Sequence, residues 1–231
     1  MTADAPPPGF VAFGRTHLLI LAGIVVISAV LPWWALRAWS PEIRLWVARG
    51  LALVLAGSVW GWTILKVRAR EFNPTFDLPI DLCNLLAVLA PFYAWRPSLE
   101  THEITYYMVM AGTLMAVLTP DLRDGFPHRN FVKYWVVHAG LIVLVIYITA
   151  ALGLFPTPRG IVTAFLTTLA YIPIAALLNW RLGANYAYVS AKPDQPSLLD
   201  VLGPWPWYIF GALAIGLGMF GLFYLPFYFI L

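Results

Sequence analysis

Cysteine is almost missing from this chain: there is one, Cys83, among 231 residues. No internal disulfide can form. Neither that cysteine nor the 4 histidines fall into a CxxC or HxxxH spacing, so no metal ligand set is expected. Charge is equally scarce, at 11% Asp, Glu, Lys and Arg against about 25% in a soluble domain. The formal net charge of +3 comes from basic residues set singly or in threes at the ends of apolar blocks. That is the pattern of topology signals, and no nucleic-acid partner is expected. There is no strand pattern, hence no glycine-rich phosphate loop following a strand, and no cofactor is expected. Internal repeats and low-complexity tracts are also absent.

Apolar residues take the place of what is missing. They make up 61% of the sequence, with a mean hydropathy of +0.79, where a soluble domain has about 45–50%. They come in blocks of about 20 residues, the length that crosses a bilayer as a helix. The expected fold class is all-α, a polytopic transmembrane bundle of about seven helices. The expected organisation is an N-terminal tail, 1–16, and one bundle, 17–231, with spans at 17–38, 42–65, 79–95, 102–119, 131–152, 159–180 and 205–230. The first block is full length and is read as a span, not a cleaved leader. Ser40-Pro41 and Thr157-Pro158 have the look of helix starts, Thr101 can cap the fourth span, and Asn73-Pro74 and Arg96-Pro97 break the chain. Gly211, Gly216, Gly218 and Gly221 offer the last span small faces for close packing. The 11 Trp and 11 Tyr suit the two interfaces, and His17 and His102 are expected there too.

Seven spans put the termini on opposite sides. Arg15, Lys66, Arg68, Arg70, Arg123, Arg129, Lys133, Arg181 and Lys192 share the N-terminal side, and Arg37, Arg44, Arg49, Arg96 and Arg159 the other, nine against five. The expected orientation therefore has the N-terminus in the cytoplasm and the C-terminus outside.

Ionisable groups at membrane depth are costly and default to function. Two stand out. Cys83 lies about one turn into the third span and His138 about two turns into the fifth. Both spans start on the same side, so both side chains would lie roughly 8–12 Å below one surface at 1.5 Å rise per residue. A histidine can take the thiol proton and later return it to a leaving group, which is the physical reason for wanting this pair. The plain alternatives are a small apolar packing cysteine and a hydrogen-bonded core histidine. Other polar residues gather at the same end: Asp77, Asp81 and Asn84 around the third span; Thr119, Asp121, His128 and Asn130 between the fourth and fifth spans; Tyr134 one turn before His138; and Asn185, Tyr186, Tyr188 and Lys192 in the long loop 181–203. Asp81, Asn84, Thr119, Asp121, His128, Asn130, Tyr134, Asn185, Tyr186 and Lys192 are the candidate substrate-binding set. Asn84, Thr119 or Tyr134 could serve as oxyanion donors. Arg123, Arg129 and Lys133 suit either a lipid phosphate or simple attraction to anionic lipid.

The stretches FDLPIDLCNLLAVLAP, TPDLRDGFPHRNFVKYWVVHAGLI, NYAYVSAKP and SLLDVLGPWPWYI resemble the YwaF family of bacterial integral membrane proteins over the third to seventh spans. That family is similar, more distantly, to mammalian transmembrane protein 164, a coenzyme-A-independent phospholipid acyltransferase, and to the androgen-induced membrane hydrolases. The resemblance implies a membrane-embedded lipid acyltransferase or ester hydrolase, with Cys83 carrying the acyl group and His138 as general base. Its partners would be membrane lipids, with a phospholipid substrate. Bacterial relatives commonly have His where this chain has Asp81. An Asp there would orient His138, or raise the thiol pKa by repulsion. The alternative function is non-enzymatic: binding or moving a small molecule through the same polar pocket.

Overall fold

Helix boundaries follow local chemistry. In the computed structural model, which describes residues 9–194 and 197–229, Ser40 caps α2 (Pro41–Arg68) by accepting from the Ile43 N–H at 3.3 Å, with Pro41 in the first turn. α1 (Arg15–Ala38) precedes it, and α3 (Leu82–Trp95) follows. Ser98, not Thr101, is the N-cap of α4 (Leu99–Met108). Thr101 is its partner in a capping box, because its hydroxyl reaches back to the Ser98 N–H. A π-helical segment, Val109–Thr113, joins α4 to α5 (Leu114–Leu118) as one rod. Then come α6 (Arg129–Leu152), α7 (Pro158–Leu182) and α8 (Trp207–Tyr228). α6 and α7 end on Gly153 (φ +72°) and Gly183 (φ +64°), left-handed caps that a Cβ would strain. Among the described residues the fold is all-α: seven rods and no strand. Residues 1–8 of the expected tail and residue 230 of the last expected span lie outside the described residues.

α1, α2, α6, α7 and α8 are each long and apolar enough to cross a bilayer. The chain is a multi-pass membrane protein. α6 is the hub, packed against α1, α2, α3 and the α4–α5 rod. It is buried all round from Leu141 to Val145. The α4–α5 rod is the other inner element. It is the most polar, and it can be so because its polar residues face protein. His102, Glu103, Thr105, Tyr106, Tyr107 and Met108 are all buried.

Two expectations fail for that reason. His102 is fully buried, not interfacial. Its Nε2–H donates to Thr149 Oγ1 at 2.9 Å, since the Thr149 proton is spent on the Val145 carbonyl, and its Nδ1 accepts from the Tyr93 hydroxyl at 2.8 Å. His17 is fully buried as well, accepting from the Phe13 N–H at 2.8 Å and donating to the Val117 carbonyl at 2.8 Å. The glycine face of α8 also fails. A Cβ at Gly216, Gly218 or Gly221 would meet nothing within 4 Å, and only Gly211 approaches a neighbour, Leu202. Close glycine packing occurs elsewhere: a Cβ at Gly140 of α6 would sit 2.7 Å from Leu55 of α2, and one at Gly160 of α7 2.5 Å from Glu103 of α4.

The connections at one end are short, 39–40, 96–98 and 153–157. The segments 69–81, 119–128 and 183–206 are long and share the opposite end. That loop-rich end carries Cys83.

Candidate functional site

α3 begins at Leu82, three residues later than the sequence pattern suggests, and Asp81 becomes its N-cap residue. The Asp81 carboxylate does not cap its own helix. It accepts from the Ala187 N–H of the long loop at 3.1 Å. Ala187 sits at φ +55°, in the left-handed region, so the loop is held in a costly conformation there. Burial pushes the Asp81 carboxyl above the ordinary carboxylate range, opposed by that N–H and by the nearby Lys133 ammonium.

Cys83 lies in the first turn of α3, half-buried. Its Sγ is 3.3 Å from Thr113 Oγ1. Thr113 ends the π-helical segment, fully buried. The extra residue of a π turn re-aims side chains in the middle of a helix, a device common at functional sites. On the other flank, α6 delivers Lys133, whose ammonium donates to Asn84 Oδ1 at 2.6 Å. The residue next to the thiol is thus tied to α6. Among the described residues the Asn84 amide nitrogen has no hydrogen-bond partner, and Lys133 has no other.

His138 lies further along α6. Its ring stacks on Tyr134 with centroids 4.0 Å apart. Nδ1 is 2.7 Å from the Tyr134 carbonyl. A carbonyl only accepts, so Nδ1 carries the proton, and the neutral ring presents an unprotonated Nε2. Nε2 has no hydrogen-bond partner among the described residues. The sulfur's hydrogen bond goes to Thr113, not to the imidazole.

The other candidate residues divide by what they hold. Tyr134 donates to the Ala116 carbonyl at 2.7 Å, and Thr119 to the Met115 carbonyl at 2.9 Å, so both hydroxyl protons are committed. Asp121 accepts from the Tyr188 hydroxyl at 2.9 Å, joining two loops. His128 is the N-cap of α6, and its ring accepts from the Asn130 N–H at 3.2 Å. The Asn130 side chain donates to Asp124 at 2.6 Å. Asn185 folds its own loop through the Ser190 and Ala191 N–H groups. Tyr186 is buried, with its hydroxyl donating to the Pro74 carbonyl at 2.7 Å and accepting from the Leu78 N–H at 3.0 Å. Lys192 reaches the Asp200 carbonyl at the surface. These seven beyond Tyr134 pin loops and helix ends and do not gather around the thiol. Arg123 and Arg129 are ion-paired, with Asp194 and Glu71.

Sequence reading missed Thr113, because nothing in its neighbours announces a π turn. It also missed Tyr171 of α7, whose hydroxyl donates to the Ile80 carbonyl at 2.8 Å and closes the site against α7. Tyr171 stands between two apolar grooves. One, of about 190 Å³, lies between α7, α8 and the 187–189 turn. The other, of about 450 Å³, lies between α3, α4 and α7.

A model of the TMEM164 family matches residues 12–224. The chain is also 27% identical over 198 residues to an uncharacterised protein of Treponema pallidum (strain Nichols), an alignment covering 84% of this chain and 80% of that protein. No solved structure matches. A family match that runs from the start of α1 into the last helix, over the thiol, the imidazole and every loop of the site end, leaves one conclusion: the chain belongs to the TMEM164 family.

Proposed function

We propose that this protein is a lipid-directed acyl-transfer enzyme in which Cys83 is the nucleophile and His138 the general base. The observation that carries the reading is a lone thiol, held by Thr113 at a π-helical break, on a helix that packs against the one bearing an imidazole with its Nε2 unengaged. Metal-free nucleophilic catalysis by a thiol asks for these two groups and a donor for the oxyanion.

In the first half-reaction the Cys83 sulfur attacks the ester carbonyl of a membrane lipid. The S–H proton passes to His138 Nε2, an S–C bond forms, and the C–O bond breaks. The leaving alkoxide takes the proton from His138. In the second, a lysolipid hydroxyl or water attacks the thioester, loses its proton to Nε2, and the departing thiolate recovers it. The Asn84 amide N–H and the Lys133 ammonium are the donors left free to face the developing oxyanion, whereas Tyr134 and Thr119 are already committed. Asp81, tied to Ala187, holds the long loop over the start of α3. The preponderance of Lys and Arg at the site end supports a cytoplasmic site in a bacterial plasma membrane, with the C-terminus outside. An apolar groove along α3, lined from Leu82 onward, favours a lipid substrate over the binding or passage of a small polar molecule.

The test is mass spectrometry of protein purified from a lipid-rich host. Cys83 should carry a hydroxylamine-sensitive acyl adduct, lost in Cys83→Ser and severely reduced in His138→Ala. No adduct and no ester turnover over a broad lipid panel would refute the assignment. A C-terminal reporter active only in the cytoplasm should be silent.

A further inference from the structure

We propose that the groove between α3, α4 and α7 is the seat of one long fatty acyl chain, running along α3 from the level of Cys83 towards Arg96. α3 packs mainly on α2 and α6, and α7 on α4 and α8. The gap they leave over α4 is the groove, about 450 Å³ in volume, within the range of a ligand site. Its wall along α3 is Leu82, Leu85, Leu86, Leu89, Ala90 and Phe92, with the ring of Tyr93, whose hydroxyl is spent on His102. Polar groups stand only near its ends and along one edge: Tyr171 beside the site, Arg96 and Thr101 at the far mouth, and the threonines of α4 and α7 between.

Three observations fix the occupant. Leu89 is 45% exposed and Phe92 76%, so the groove opens sideways through an apolar rim, away from the loops. The near end is lined by Leu82, at the start of α3, and by Tyr171, which bonds the Ile80 carbonyl, so a chain lying there ends at the level of the site. The length also agrees. α3 has 14 residues, and at about 1.5 Å each the groove runs roughly 20 Å. At an advance of roughly 1.3 Å per carbon–carbon bond of about 1.5 Å, that is an extended chain of about sixteen carbons. The groove is thus a ruler as well as a seat: Ala90 and Thr105, both buried, face it part-way along, where a larger side chain would shorten it.

What the chain is esterified to rests on the acyl-transfer reading, but its lodging in the groove does not. The two are separated by working with full-length protein and its Cys83→Ser variant in nanodiscs of phosphatidylcholine that carries a diazirine part-way along a sixteen-carbon chain. After photolysis, peptide mapping should find adducts on Leu86, Leu89, Ile104 and Met108 enriched at least fivefold over the outward residues Val25 and Leu53, in both proteins. Ala90→Phe, and Leu89→Trp as a gentler block at the open side, should remove that enrichment while labelling of Val25 and Leu53 persists. In protein with Cys83 intact, both should move the thioester-bound chains towards shorter lengths. Equal labelling of groove and outer faces, or enrichment untouched by both blocks, overturns the proposal. A labelled groove without any Cys83 thioester upholds the groove and removes the acyl-transfer reading.

Discussion

Glu103 offers the most demanding test of how this bundle is held together, because one carboxylate does the work of a helix cap from another helix. Thr157 is the N-cap residue of α7, yet its own side chain makes no capping bond. Instead Glu103 Oε1 accepts from both the Thr157 N–H at 2.7 Å and the Thr157 hydroxyl at 2.6 Å, from a position only 5% exposed. Tyr107 of the same rod donates to the Thr157 carbonyl at 3.0 Å. Hydrogen bonds to a charged group are each worth about 1.5–3 kcal/mol. A carboxylate at a helix N-terminus adds up to ~2 kcal/mol in partly buried geometry. The desolvation of the carboxylate offsets part of this, so Glu103→Ala is expected to cost about 3 kcal/mol. Glu103→Gln keeps an oxygen for Thr157 and should cost about 1 kcal/mol. At ~2–4 °C per kcal/mol for a chain of this size, the melting temperature should drop by about 6–12 °C for Ala and 2–4 °C for Gln. Gly160→Ala attacks the same contact from the α7 side, since its methyl would meet Glu103 Cδ, Cβ and Cγ at 2.5–2.7 Å. Overpacking of this kind costs about 1–3 kcal/mol. In the Glu103→Ala background that cost should shrink but not vanish, because the Cβ contact remains. Far-UV circular dichroism melts in detergent micelles read all four variants against the parent. A melt of Glu103→Ala within 2 °C of the parent, or Gln as damaging as Ala, would refute the cap.

The remaining expectations are briefer. Thr149→Val removes the acceptor of the His102 Nε2–H and leaves a buried donor unpaired, costing about 1–3 kcal/mol, and the same melts check it. Asn84→Ala should slow acylation of Cys83 about 10²-fold by removing an oxyanion donor, read as the time course of hydroxylamine-released acyl chains; an unchanged rate rules the role out. Asp81→Asn keeps an oxygen for the Ala187 N–H and removes a buried charge. The folded-state pKa of Asp81 is raised, so the ionised form burdens the fold at neutral pH, and stability at this position declines as pH rises from the ordinary carboxylate range through the folded value. The variant should therefore melt above the parent at neutral pH, and the difference should fade on acidification below the ordinary carboxylate range. A constant difference across that interval would contradict the burial of the charge.

What the amino-acid sequence by itself determined was most of what depends on near neighbours along the chain. The apolar blocks, Ser40-Pro41 and Thr157-Pro158 mark where helices lie and start, because caps and spans are satisfied within a few residues. The crowding of polar residues at one end was equally legible, since long loops need them. Only the tertiary structure decided which of those residues meet. Thr113 reaches Cys83 because a π turn re-aims it, and no local pattern encodes that turn. His17 and His102 read as interfacial from their place along the helices, but their burial depends on which face of each helix meets a neighbour. The glycines of α8 looked like packing surfaces and face open space, while Gly140 and Gly160 make the close approaches. A glycine permits contact without requiring it, and whether a second helix comes to fill the space is settled only when all seven rods compete for the same interior.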